Sequence, residues 1–272
     1  MWNRRRNKAV PAAELPIPPL EMRELVGPTD PAMFDNPTGA LVYGGLPPEQ
    51  FRSVLDFGCG CGRIGRQFIQ QSPRPERYEG LDLHAGMIRW AGENLAPRAP
   101  GFRFTHHDVH YPGFNPGEGK PMHDRFPFGD AEFSFVVAIS VFTHLTQDQA
   151  EAYLAEMSRV LEPGGVILCT WFLFEKSDFP MMQENQNTLF INEYDVRNAV
   201  IYDREWVRAA TAAVGLTLRE VRPPTVRGFQ WELRFSPAAP GVVPADWPPD
   251  EAPLGRTAPP LMPVDAHRIG QE

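Results

Sequence analysis

Two hydrophobic rhythms alternate along the chain between about residues 50 and 235. Short apolar runs recur at Ser53–Phe57, Tyr78–Leu83, Phe102–His106, Phe133–Ile139 and Val166–Phe172. Runs of this length, bounded by glycine or polar turns, are the pattern of strands buried on both faces. Between them the spacing becomes helical, over Arg63–Gln71, Gly86–Leu95, Gln147–Leu161 and Tyr202–Val214. The third is the clearest, with Ala150, Tyr153, Leu154, Met157, Val160 and Leu161 on one face and Pro163-Gly164-Gly165 as a stop signal. Leu216–Val221 and Phe229–Phe235 alternate at period two and predict a closing hairpin. Strands alternating with helices predict an α/β fold, with a mostly parallel seven-stranded sheet covered on both faces and one antiparallel strand near its C-terminal end.

The two ends break this rhythm. Of 272 residues, 30 are proline, about twice the ordinary share of roughly 5%, and they concentrate outside the alternating region. Residues 1–40 are expected to form a Pro-rich extension with one short helix near Leu20–Val26. Residues 236–272 lose apolar periodicity and are expected to be disordered or an extended arm. The folded domain is then 41–235. Inside it, the segment from about 172 to 201 has neither rhythm and reads mostly as loop; in the fold expected above, such an insertion would overlie the substrate pocket as a lid.

The first strand runs into Asp56-Phe57-Gly58-Cys59-Gly60-Cys61-Gly62-Arg63. Glycines there permit positive φ and close approach of a ligand to the backbone, and the following helix aims its N-terminal N–H groups at the same place. In an open α/β sheet this is the ligand crevice. Gly60-Cys61-Gly62-Arg63-Ile64-Gly65 also fits the dinucleotide fingerprint, with Asp82 about 20 residues on. A nicotinamide-dependent oxidoreductase is therefore the rival reading. Gly58 ahead of the fingerprint, and Asp56 at the strand end, suit a ligand carrying an ammonium group better than a pyrophosphate.

Val54 to Gly62 resembles the first motif of class I S-adenosylmethionine (SAM)-dependent methyltransferases. Four further stretches are similar to the family's motifs, in order: Gly80-Leu81-Asp82-Leu83 with Met87; His107-Asp108-Val109; Phe135–Ser140 with Phe142-Thr143-His144-Leu145; and Arg159-Val160-Leu161-Glu162-Pro163-Gly164-Gly165. Asp56, Asp82 and Asp108 stand 26 residues apart. The resemblance spans about residues 50–235 and departs from the family at His84, where a small polar residue is common. It implies a Rossmann-like, doubly wound fold with SAM as cofactor, and a small-molecule type of acceptor.

The resemblance also implies roles. Asp82 would hold the ribose hydroxyls, Asp108 the adenine amino group and the Val109 N–H a ring nitrogen. Met87 would pack on the adenine face. Asp56, Gly58, Cys59, Gly60, Gly62, Leu83 and Ser140 are further cofactor-binding candidates, with Arg63, or Arg23 from the extension, as partner for the methionine carboxylate. His144 follows the fourth strand, where the methyl would emerge, and imidazole chemistry suits removal of a hydroxyl proton. Trp171, Phe172, Phe174 and Tyr194 are candidates for covering the acceptor. The expected reaction is O-methylation of a secondary metabolite or sugar-containing product. A catalytically silent SAM-binding partner protein is the remaining alternative.

Charge and composition narrow this further. The formal net charge is −8, against a general nucleic-acid binder. The one basic run is Arg4-Arg5-Arg6 with Lys8. Cys59, Cys61 and Cys169 do not form a disulfide framework, and His106-His107-Asp108 is not expected to hold a metal. No stretch of about 18 apolar residues predicts a membrane span. With Pro-rich sequence in place of an apolar signal region, the expected location is cytoplasmic.

Overall fold

The computed structural model describes residues 10–248 except 118, 121–123, 193, 196, 226 and 227. The basic run at 4–8 and residues 249–272 of the tail lie outside the described residues. Among the described residues, nine strands and five α-helices follow one another as α1 (Leu20–Leu25), β1 (Ser53–Phe57), α2 (Arg63–Gln70), β2 (Arg77–Asp82), α3 (Ala85–Asn94), β3 (Phe102–His106), β4 (Phe133–Ala138), α4 (Gln147–Val160), β5 (Leu161–Phe174), β6 (Thr188–Phe190), β7 (Val200–Asp203), α5 (Arg204–Ala213), β8 (Leu216–Arg222) and β9 (Trp231–Pro237).

The main sheet runs β3-β2-β1-β4-β5-β9-β8. The pairs among β3, β2, β1, β4 and β5 are parallel, and β9 is antiparallel to both β5 and β8. This is the Rossmann-like, mostly parallel sheet the alternation predicts, with its reversed strand near the C-terminal end. Burial explains the continuous apolar runs: every residue of β1 and β4 is buried. One face packs Leu55, Phe57, Val136 and Ala138 against Tyr153, Leu154 and Met157 of α4. The other packs Val54, Phe135 and Val137 against Ile64, Phe68, Ala91 and Leu95 of α2 and α3.

Two boundaries differ from the sequence pattern, for one reason. β5 is longer than Val166–Phe172 because its far end leaves the main sheet and pairs in parallel with β7, at Phe172 with Ile201 and Phe174 with Asp203. β7 occupies residues expected to open the helix at Tyr202. That helix starts at Arg204 instead, where the Asp203 side chain caps the Trp206 N–H. α4 begins in a capping box between Thr146 and Gln149 and passes directly into β5. Pro163-Gly164-Gly165 then falls in an irregular stretch where pairing to β4 shifts register.

The N-terminal extension is anchored to α2. Leu15 and Phe34 are buried, and the Arg66 guanidinium, also buried, donates to the carbonyls of Leu15, Pro16 and Phe34 and pairs with Asp35. From the end of β9 to residue 248 the chain runs without regular structure. The Ala245 N–H reaches the Leu218 carbonyl, and Trp247 lies under the Arg208 guanidinium. No helix among the described residues is long and apolar enough to cross a membrane.

Candidate active site

The strand ends of β1, β2, β3 and β4 open into one cavity of about 550 Å³, a size typical of small-molecule sites. Gly58, Cys59 and Gly60 wall it after β1, Leu83 and His84 after β2, His107 and Val109 after β3, and Ile139, Ser140 and Val141 after β4. Its roof includes Leu25, Val26 and Gly27 from the end of α1.

Asp82 organises the loop around it. One carboxylate oxygen accepts the Gly60 N–H at 2.8 Å and the other accepts the His84 N–H at 2.8 Å. Burial pushes the Asp82 carboxyl above its ordinary value, and the two N–H donors pull against that rise. His84 in turn caps α3 through its own ring, which accepts from the Met87 N–H. Gly60 holds φ at +54°, and a Cβ there would stand 2.6 Å from the Val26 side chain and 3.7 Å from the Met87 sulfur. The loop is thus closed down to backbone width between the extension and α3.

The structure brings Gly58, Cys59, Gly60, Arg63, Asp82, Leu83, Met87, Val109, Ser140, His144 and Phe172 to the cavity wall. It does not bring the rest. Asp56 is buried behind the loop, where one oxygen accepts the Tyr78 hydroxyl at 2.5 Å and the other has no partner. Gly62 faces Leu95 and Phe104. Asp108 turns outward and accepts from Asn115 at 3.0 Å, because His107 takes the inward position after β3. The Val109 N–H is occupied by the His107 carbonyl at 2.8 Å, so the expected bond to a ring nitrogen has no free donor. Arg23 donates to the Pro18 carbonyl rather than into the cavity. Trp171 is fully buried, stacked on Phe142 at 4.1 Å. Phe174 packs edge-on against Phe179, and Tyr194 is 91% exposed.

Several wall residues had no sequence signal of their own. Tyr153 reads as a core residue of α4, yet its hydroxyl meets the His107 ring at 2.9 Å on the cavity floor. Gln230, before β9, bonds the Ser140 and Thr170 hydroxyls across the sheet end. Ser140 itself holds φ at +59°, and its N–H donates to Thr170. The strand rule that neighbouring side chains point oppositely could have marked His107 as the inward partner of an outward Asp108.

The buried pair Asp56 and His107 makes a stability prediction. Burial pushes Asp56 up to about 7 from 3.8. Between those values the folded protein holds a proton that the unfolded chain has released, so this contribution is lost as pH rises. Burial pushes His107 down to about 4 from 6.5. Between those values the unfolded chain holds the extra proton, so this contribution is lost as pH falls. Each effect is on the order of 3 kcal/mol across its window, with opposite sign. In urea melts from pH 4.5 to 7.5, stability relative to wild type should fall with pH in His107→Gln and rise with pH in Asp56→Asn. Parallel slopes in the two variants would refute the assignment.

His144 sits in a turn of 3-10 helix, Phe142–His144, after β4. Its Nδ1 lies 2.8 Å from the Arg197 carbonyl. A carbonyl only accepts, so in the neutral ring Nδ1 carries the hydrogen and Nε2 keeps the lone pair.

The comparisons with known proteins agree with this geometry. A family model described as a methyltransferase domain matches residues 54–165. An uncharacterized methyltransferase of Emericella nidulans is 30% identical over 130 residues, covering 46% of this chain and 43% of that protein. A fatty-acid O-methyltransferase of Mycolicibacterium smegmatis is 31% identical over 119 residues, covering 44% of this chain and 36% of that protein. The matches thus span less than half the length of these relatives. In fold, a crystal structure of a putative S-adenosylmethionine-dependent methyltransferase from Listeria monocytogenes superposes with a TM-score of 0.50 at 14% identity, covering 71% of this chain and 94% of that one. The glycine loop, the Asp82 carboxylate and the sheet order meet on one crevice, within the stretch at residues 54–165 that matches a methyltransferase domain, and this region is similar to class I SAM-dependent methyltransferases.

Proposed function

We propose that this chain transfers the methyl group of SAM to the hydroxyl oxygen of a small or medium-sized acceptor with a largely apolar skeleton, of the secondary-metabolite type, with His144 as general base. The observation that carries the reading is the His144 ring: it lines the cavity beyond the end of β4 and is held in the tautomer that presents a basic nitrogen. Support for an oxygen acceptor comes from the relative named a fatty-acid O-methyltransferase. Support for an apolar skeleton comes from Ile139, Val141, Leu145 and Phe172 on the same wall.

The cavity fits the cofactor on the structure's own terms. The Asp82 carboxylate stands at its wall at the end of β2, and the glycine loop beside it leaves no room for a side chain at residue 60. When bound, SAM supplies a sulfonium-activated methyl group. Asp82 would accept from the ribose hydroxyls with the lone pairs that its two backbone donors leave free. Leu83 and Met87 would flank the adenine, and Arg63 would pair with the methionine carboxylate. Val26, pressed onto Gly60, would exclude water from the reacting end. His144 would take the acceptor's hydroxyl proton on Nε2 as the new C–O bond forms and the C–S bond breaks, leaving a neutral thioether and a protonated imidazole.

Removing a positioned base of this kind costs about 10²–10⁴ in rate. His144→Ala and His144→Gln should therefore lose kcat by that order in a methyl-transfer assay across hydroxylated acceptors, with SAM affinity by calorimetry unchanged. A carboxylate acceptor needs no base. Full turnover by His144→Ala would remove His144 from the mechanism and favour a carboxylate in place of the hydroxyl.

A further inference from the structure

We propose that Arg197 is a positioning residue for His144, holding the imidazole tautomer through a clamp between the two loops that flank the acceptor side of the cavity. The inference rests on the reading of His144 as the base.

Arg197 belongs to the turn between β6 and β7. That turn is tied internally: the Asn192 side chain accepts from the Tyr194 and Asp195 N–H groups, the Asp195 side chain accepts from the Arg197 N–H, and the Asp195 carbonyl accepts from the Asn198 N–H. Two attachments leave it from one residue. The Arg197 carbonyl takes the His144 Nδ1 at 2.8 Å, and the Arg197 guanidinium lies 5.2 Å from the centroid of the Tyr111 ring. Tyr111 is buried, and it stacks on Phe114 at 5.7 Å with 15° between the planes. Phe114 in turn lies 6.2 Å from the His84 ring, next to the Asp82 loop.

The physical consequence is a lever arm. The turn reaches the histidine through a single carbonyl bond. The cation–π interaction supplies a second point of attachment on the opposite wall, to a ring that is itself packed. With both attachments made, the carbonyl stays at Nδ1 and the lone pair stays on Nε2. Without the guanidinium against the Tyr111 ring, the carbonyl moves off and the hydrogen redistributes between the two nitrogens, since the tautomer follows the bond the other nitrogen makes.

The test reads the ring directly and needs no acceptor. In full-length protein labelled with ¹⁵N-histidine, His144→Gln identifies the His144 signals among the seven histidines. At a pH where the ring is neutral, wild type should show the His144 hydrogen on Nδ1. Arg197→Ala and Tyr111→Leu should replace that single pattern with a mixture of tautomers, while Arg197→Lys and Tyr111→Phe, which keep a cation and a ring face, should retain it. SAM calorimetry certifies that each variant is folded, and Tyr111→Leu carries the test if Arg197→Ala does not fold. An unchanged His144 signal in a folded Arg197→Ala or Tyr111→Leu protein, or a wild-type hydrogen on Nε2, would overturn the proposal. Failure of the base reading would look different: full methyl transfer by His144→Ala with the tautomer lock intact.

Discussion

Replacing Asp82 by Ala should weaken SAM binding at least about a hundredfold in calorimetry, because a hydrogen bond to a charged group contributes about 1.5–3 kcal/mol and two ribose hydroxyls are at stake. The structure adds a second route to the same loss. Asp82 joins the β1–α2 turn to the start of α3 by accepting from Gly60 and His84 at once. Without it, those N–H groups turn to water in the cavity and the two loops lose their common anchor. Asp82→Asn should fall between wild type and Asp82→Ala, since one amide oxygen still accepts but carries no charge. S-adenosylhomocysteine should show the same order, and NAD should bind none of the three proteins. A folded Asp82→Ala protein with SAM affinity within a few-fold of wild type would remove Asp82 from the cofactor site.

The second large effect is one of stability. Arg66→Ala should destabilise the protein by about 3–5 kcal/mol, the cost of breaking a buried ionic cluster by removing one partner. Arg66 is 1% exposed, and its guanidinium gathers the carbonyls of Leu15, Pro16 and Phe34, with Asp35 beside them. Alanine would leave these buried acceptors without their guanidinium donor. At this chain length the melting temperature should drop by about 10 °C, given roughly 2–4 °C per kcal/mol. The extension should also become the first site of proteolysis. Since Val26 and Leu25 belong to the same extension and roof the cavity, SAM affinity should fall as well, though Arg66 itself is remote from the cofactor. A melting shift below about 2 °C would show that other contacts hold the extension.

Much of the fold was legible because its signals are local. Strand burial wrote continuous apolar runs into β1 and β4, and α4 shows its periodicity and its capping box in consecutive residues. Where the pattern misplaced a boundary, the cause was pairing at a distance: Val200–Asp203 is a strand because the far end of β5 receives it. Read alone, Tyr202 followed by Trp206 and Val207 has helical spacing. Trp171 shows the same limit. It has the chemistry of a ligand-covering aromatic, but the extended β5 carries it into the core against Phe142 and Tyr202.

By itself the sequence determined the α/β class, the order of its main elements, the glycine loop and the carboxylate at residue 82. A buried parallel strand needs an apolar run, a left-handed turn needs glycine, and both requirements are met within a few residues of chain. Only the tertiary structure decided which side chains share the cavity. His107 turns in and Asp108 turns out; Tyr153 reaches the floor from α4; Val26 closes on Gly60; the Arg197 carbonyl fixes the His144 ring. These contacts join positions far apart in the chain. Strand register, loop closure and the docking of the extension settle them, and none of the three leaves a mark in the residues nearby.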